Sequence, residues 1–292
     1  MIDLQIEKTF PSKGMPPIKL SFQCKIPLQE TSAFFGGSGV GKTSLFKMLA
    51  GLLLPDRGKI IVSGEVWFDS EKKINLPIAK RSLSVMFPDH TLFPNMSVME
   101  NLVFSIPNGK KDEPLFQSLV SEAEIDSILY KPITTLSSGQ KQRVSLVRSL
   151  LQKPNLLLLD EPFSSLDGRL REKLLFFVKE LQKKWAMTVL FISHEIPELV
   201  QIAKHVFVLE HGQVIRFGNP IQIFSTKAKG ELRGEVLSNG LPNKKVSIWI
   251  PHQLVNIDSR LMDQTQSKTK QNKVGKIIYG KFVPMDRNKN PN

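Results

Sequence analysis

The chain has 292 residues, 41 % of them apolar and 23 % charged, with a formal net charge of +13 and a single cysteine. That length and balance suit one large or two smaller domains around a buried core and exclude a wholly disordered polymer. One cysteine excludes an intrachain disulfide and a cysteine-based metal site, which leaves Cys24 as core filler.

No apolar run approaches the roughly 18 residues that span a bilayer. The N-terminus is polar where a signal peptide would need its apolar segment, so the chain is expected to stay in the cytoplasm. The positive charge is uneven: residues 227–292 hold 13 of the 40 Lys/Arg but only 5 of the 27 Asp/Glu. Such a basic tail suits an anionic partner or a solvated extension. Few aromatics interleave with the charges, which argues against nucleic acid.

In chain order, Leu4 to Glu7 and Ile18 to Phe22 alternate and are separated by Pro11, Gly14, Pro16 and Pro17, which predicts an antiparallel entry sheet. The run Ser32 to Phe35 then leads into Gly36-Gly37-Ser38-Gly39-Val40-Gly41-Lys42-Thr43-Ser44. This fits the phosphate-binding pattern G-x-x-x-x-G-K-[ST] between a strand and a helix predicted over 44–49. Glycines at 36, 39 and 41 let successive amides turn around an anion at the positive end of that helix. Lys42 supplies a point charge for β and γ phosphates, and the Thr43 hydroxyl is placed to ligate Mg²⁺.

Gly51 and the stretch from Pro55 to Gly58 end the helix, and strands follow at Lys59 to Val62 and Ser82 to Phe87. Pro88 stops the second of these. From Ser97 to about Lys153 the apolar period becomes helical and several turns interrupt it, as in a helical insertion. Leu156-Leu157-Leu158-Leu159-Asp160-Glu161 reads as a buried parallel strand whose C-terminal end carries two carboxylates toward a ligand. Beside a phosphate loop, Asp160 suits the Mg²⁺ shell shared with Thr43, and Glu161 suits a general base acting on water. A helix over 168–184, a strand over 187–193, a helix over 195–203 and a hairpin across His211-Gly212 complete an α/β core with parallel strands.

Leu136-Ser137-Ser138-Gly139-Gln140, followed by Lys141-Gln142-Arg143, resembles the LSGGQ signature of ATP-binding cassette (ABC) ATPases. Ser165-Leu166-Asp167 is similar to the family's D-loop, and His194 to its switch histidine. The resemblance covers roughly residues 1–220. It implies an ABC ATPase core with an antiparallel β subdomain and a helical subdomain at about 97–153, together forming an ATPase domain over 1–226. It also implies bound ATP and Mg²⁺, and two copies that sandwich two nucleotides head to tail. In that arrangement the Ser137 hydroxyl and the amides from Gly139 and Gln140 onward face the partner copy's γ-phosphate, as a helix N-terminus favours. Two positions depart from the pattern. Ser138 replaces the signature's first Gly, a small addition that deletes no donor. Pro88 stands where the Q-loop has a Gln, so a Mg²⁺ contact and a sensor of the transmembrane partner are missing unless Asp89 or His90 substitutes.

Gly64-Glu65-Val66-Trp67-Phe68-Asp69-Ser70, Leu76-Pro77, Lys80-Arg81, Leu92-Phe93-Pro94 and Ser97 to Leu102 resemble the ATP-binding subunits of bacterial molybdate importers. By that resemblance the chain is expected at the cytoplasmic face of the plasma membrane, bound to permease subunits and served indirectly by a periplasmic or surface solute-binding protein. Residues 227–292 are expected to be a truncated β module, with strands at 246–250 and 274–279 and a polar linker at 264–273, or a partly disordered tail. Two other classes stay open. One is a soluble ABC ATPase working on nucleic acid or ribosomes, although no nucleic acid is expected as a partner here. The other is a non-hydrolysing regulatory subunit, against which Lys42, Asp160, Glu161 and His194 all argue.

Overall fold

Alternation along the first strands builds an antiparallel sheet. In β1 (Ile2–Phe10) the side chains of Ile2, Leu4 and Ile6 are buried on one face. β2 (Ile18–Ile26) pairs antiparallel with β1, setting Phe22 opposite Ile6, and β4 (Arg57–Val62) pairs antiparallel on the other side, setting Val62 opposite Ile2. With β5 (Glu65–Asp69) and β6 (Ile74–Asn75) the order is β2-β1-β4-β5-β6. The expected antiparallel entry sheet is therefore present and larger than anticipated. Our computed structural model describes residues 1–12, 14, 16–88, 92–106, 112–226, 230–241, 245–250, 253–258 and 277–282.

The second sheet contains β3 (Thr31–Phe35), β7 (Leu83–Met86), β8 (Leu156–Asp160), β9 (Thr188–Ile192), β10 (His205–Glu210) and β11 (Gln213–Gly218), in the order β11-β10-β3-β9-β8-β7. The pairs from β10 through β7 are parallel. All five residues of β8 and of β9 are buried, as parallel strands covered on both faces require. Only His211 and Gly212 join β10 to β11, with φ of 47° and 76°. Two successive left-handed residues form the tight turn whose twist matches a hairpin.

Helix α1 (Lys42–Ala50) lies on this sheet through Leu45, Phe46, Met48 and Leu49, all buried. Phe46 meets the Phe34 ring edge-on at 5.8 Å, and Phe34 stacks on Phe207 at 5.1 Å. The helical stretch contains α2 (Val98–Phe104), α3 (Glu113–Glu122) and α4 (Ser138–Leu151), with α2 and α3 packed on α4. A capping box between Ser97 and Glu100 starts α2, satisfying amides that a helix start leaves open. Helix α5 (Gly168–Trp185) and the short α6 (Ile196–Ile202) and α7 (Pro220–Phe224) follow.

By contacts the chain divides into Met1–His194 with Ile202–Phe217, and Glu195–Gln201 with Gly218–Asn292. In the second unit β12 (Ser225–Thr226), β13 (Gly230–Leu241), β14 (Lys245–Ile250), β15 (Gln253–Asp258) and β16 (Ile277–Phe282) form a sheet in the order β12-β15-β14-β13-β16. The polar linker expected at 264–273 lies outside the described residues.

One buried cation anchors the far end of α1. Arg81 is 5 % exposed and donates to the carbonyls of Met48, Leu49, Leu76 and Trp67 and to Asn75 Oδ1. Two of these carbonyls belong to the last turn of α1, where the helix dipole is negative. Its guanidinium also sits 5.5 Å from the centre of the Trp67 ring. Burial lowers the Arg81 pKa from its usual value, and the ring of acceptors replaces the lost water. Arg81→Met should leave those carbonyls open and cost about 3 kcal/mol. By circular dichroism that is a fall in Tm of about 6–12 °C for a domain of this size; a shift under about 2 °C would mean the anchor is dispensable. In β2, burial first and Asp3 second push the Cys24 thiol up to about 12. Native protein at pH 8 should therefore resist iodoacetamide, and label promptly only once unfolded in urea.

Candidate active site

Three parallel strands end at one edge, and each delivers a piece of the site. β3 runs into the phosphate loop, β8 into Asp160 and Glu161, and β9 toward Ser193 and His194. This is the carboxyl edge at which open α/β sheets bind ligands.

The loop's shape depends on absent side chains. A Cβ on Gly36 would fall 2.4 Å from the Leu209 carbonyl oxygen, and one on Gly41, at φ 99°, would fall 2.8 Å from Leu20 Cδ1. Gly41 is also the N-cap of α1, so the helix starts at Lys42, two residues before the expected Ser44. Lys42 Nζ donates to the carbonyls of Gly36 and Gly37, each at 2.8 Å. Burial lowers its pKa, opposed by the charges of Glu161 and Asp160.

The Thr43 hydroxyl donates to Asp160 Oδ2 at 2.6 Å, joining the first turn of α1 to the end of β8. Asp160 is 1 % exposed. Burial above all, and the Glu161 charge in smaller part, raise its pKa, while the Thr43 hydrogen bond and Lys42 lower it. Two hard oxygens this close, beside an ammonium and a loop that only glycines can form, suit a phosphate chain with its divalent ion. Neighbouring ligands of an Mg²⁺ octahedron lie about 2.9 Å apart.

Glu161 is the first residue beyond β8 and has φ 48°, a left-handed conformation that costs a residue with a Cβ roughly 1–2 kcal/mol. The Glu161 N–H donates to the Ile192 carbonyl at 2.9 Å, and the Glu161 carbonyl accepts from Gln142 Nε2 at 2.9 Å. The carboxylate is turned toward His194, whose Nδ1 lies 3.5 Å from Glu161 Oε1. The Glu161 side chain is about one-third exposed, so water reaches it.

The signature segment opens α4, as expected. Ser137 is its N-cap, and the Ser137 Oγ accepts from the Gln140 amide at 3.3 Å while Gln140 Oε1 accepts from the Ser137 amide at 3.0 Å. The helix begins at Ser138, and Ser138 is exposed. Asp167 caps α5 by accepting from the Leu170 amide. Pro88 lies in an exposed turn after buried Phe87, and Asp89 and His90 lie outside the described residues. Sequence reasoning missed Gln142 and Ser164, which tie α4 to the Glu161 turn. Gln142 is a polar residue on the buried face of a helix, four residues before Leu146, and that misfit was the available signal.

These features define a phosphate-loop nucleotide-binding core built of a parallel sheet, an antiparallel sheet and a helical insertion. Residues 20–164 match the family model described as ABC transporter, so it is this segment, the cassette, that belongs to the ABC transporter family. It is 37 % identical over 203 residues to the molybdenum import ATP-binding protein ModC of Vibrio parahaemolyticus, covering 70 % of this chain and 55 % of that protein. It is 39 % identical over 211 residues to the ModC of Brucella suis, covering 72 % and 59 %. The chain thus spans less than two thirds of the length of these curated relatives. Among solved structures it resembles cbiO1 of Clostridium perfringens, part of the ABC transporter complex cbiONQ, with a TM-score of 0.61, 29 % identity and coverage of 76 % of this chain and 89 % of that one. The dimeric ATP-binding cassette MJ0796 bound to ADP and Pi shares the fold, with a TM-score of 0.66, 24 % identity and coverage of 75 % and 99 %.

Because burial raises the Asp160 pKa, its ionised form destabilises the nucleotide-free fold above the unfolded carboxylate's pKa of about 3.9. Asp160→Asn keeps an oxygen for Thr43 and removes the buried charge. Without nucleotide it should melt higher than wild type at pH 7, with the gap closing as pH falls below the raised folded value toward about 4. A constant gap in thermal scans across that range would assign the difference to something other than the charge.

Proposed function

We propose that this chain binds and hydrolyses Mg²⁺-ATP as the nucleotide-binding subunit of a membrane importer for a small solute, molybdate or a related oxyanion. The observation that carries the reading is the convergence of Lys42, Thr43, Asp160, Glu161 and His194 at one sheet edge, with the 2.6 Å Thr43–Asp160 bond closing it. The loop amides of residues 36–44 and the Lys42 ammonium hold the phosphates. Thr43 and Asp160 hold Mg²⁺, which when bound neutralises charge on the phosphate oxygens. Glu161 accepts a proton from the attacking water, and His194 at 3.5 Å fixes the orientation of its carboxylate.

Chemistry of this kind says nothing about the solute. The assignment to molybdate rests on the ModC relatives at 37–39 % identity. The assignment to a complex draws on cbiO1, which is part of one. The partners are then permease subunits, reached from the cytoplasmic face of the plasma membrane, and a second copy of the chain. Ser137, Gly139 and Gln140 face the partner copy's γ-phosphate, with the Ser137 hydroxyl hydrogen free to donate while its oxygen caps α4. A solute-binding protein acts on the far side of the permease. No helix among the described residues is long and apolar enough to cross a membrane.

The test is Mg²⁺-dependent phosphate release by the purified chain, with light scattering to follow association. Glu161→Gln should lower turnover by at least about 100-fold and accumulate an ATP-bound dimer, while Lys42→Ala should abolish nucleotide binding. Pro88→Gln should leave turnover within about threefold, because water completes an Mg²⁺ shell readily. A wild-type protein without Glu161-dependent turnover would sink the hydrolytic reading. Co-purification with ribosomes or nucleic acid in place of a permease would sink the importer reading.

A further inference from the structure

We infer that Gln142 is a positioning residue for hydrolysis: it ties the helix that carries the signature to the backbone turn that aims Glu161. The inference rests on the hydrolytic reading above and deepens it.

Gln142 sits in the second turn of α4, five residues after the Ser137 cap, and is 1 % exposed. Its amide is used at both ends. Nε2 donates to the Glu161 carbonyl at 2.9 Å and to Ser164 Oγ at 3.1 Å, and Oε1 accepts from the Ser165 amide at 3.0 Å. Ser164 Oγ donates to the same Glu161 carbonyl at 3.2 Å. Glu161 is therefore held from two sides: its N–H by the Ile192 carbonyl of β9, and its C=O by α4.

That double hold fits the conformation. A left-handed residue with a side chain persists only where its surroundings fix it, and here the fixing groups come from β9 and the signature helix. A second contact points the same way. A Cβ on Gly139 would fall 2.9 Å from the Ser165 carbonyl oxygen, so the first turn of α4 lies directly against the segment that Gln142 grips. Any shift of α4 on engaging a partner copy's nucleotide reaches Glu161 through these bonds. The carboxylate is thereby aimed only when the signature is in place.

A buried amide could instead serve stability alone, and the two roles separate kinetically. Gln142→Ala removes all three bonds. Gln142→Glu keeps the shape and the Ser165 acceptor but puts an oxygen where the Glu161 carbonyl needs a donor, and it covers the case in which the alanine variant folds poorly. Turnover, ATP affinity by a fluorescent analogue, and Tm are measured for wild type, both variants, Glu161→Gln and the double variant Glu161→Gln/Gln142→Glu. We expect kcat to fall at least about tenfold, with ATP affinity and KM within about twofold of wild type. The double variant should be no slower than Glu161→Gln alone, because Gln142 acts through Glu161. Unchanged kcat, a loss carried by KM, or multiplicative losses in the double variant would each overturn the inference. Wild-type protein lacking Glu161-dependent turnover would overturn the hydrolytic reading itself, and the inference with it.

Discussion

The hydrogen bond from Thr43 to Asp160 spans 117 residues of sequence and is the contact on which the site depends. It joins the first turn of a helix to the end of a strand two places away in the sheet, with β9 between β3 and β8. It forms only if α1 starts immediately after the loop and lies at the right height on the sheet. Gly41 sets the start, and Phe46 on Phe34 sets the height. Arg81 holds the opposite end of the helix by its carbonyls. A short, charge-assisted bond at one end and a buried guanidinium at the other leave α1 little freedom to slide. The geometry of the site is a consequence of how one nine-residue helix is pinned.

Charge is balanced along the same line. Asp160 is buried and resists ionisation, Lys42 is partly buried and resists protonation, and each eases the other's position. Such a pair is costly without a ligand and is relieved by one, because phosphate takes up the ammonium and a cation takes up the carboxylate. A site that destabilises its empty fold in this way binds its ligand with part of the folding free energy.

Local pattern made the core legible and long-range polar contacts did not. Four leucines before Asp160 gave β8, the glycine spacing gave the loop, and the period change gave the helical insertion. The start of α1 was misplaced by two residues because Lys42 and Thr43 read as loop, although Gly41 already caps the helix. Arg81 and Gln142 were invisible as keystones: their partners lie up to 33 and 23 residues away, and nothing in a one-dimensional pattern shows a backbone carbonyl in need of a donor. In the C-terminal unit, β14 was legible from Val246 to Ile250. β13 was not, since Gly230, Gly234 and Asn239-Gly240 read as turns. It pairs with β14 on one side and β16 on the other, and backbone pairing on both edges overrides a weak strand composition. Its irregular register between Val236 and Leu241 falls near that Asn-Gly pair.

Pro88 is best understood from what surrounds α4. At the position where the resembled Q-loop pattern has a Gln, this chain has an exposed proline in a turn. The preceding Phe87 is buried and, with Leu83 and Val85 of β7, lines a cavity of about 260 Å³ whose other wall is Ser145, Arg148 and Ser149 of α4 and Gln152 just beyond it. The middle of α4 therefore meets the core across a partly open, largely apolar space, and the start of α4 meets it through the Gln142 bonds. On this side α4 is held by its buried residues Val144, Leu146, Val147, Leu150 and Leu151, and at its start by the Gln142 bonds. Position 88 follows Phe87 in an exposed turn, and the bonds that hold the Glu161 turn run through Gln142, Ser164 and Ile192 instead.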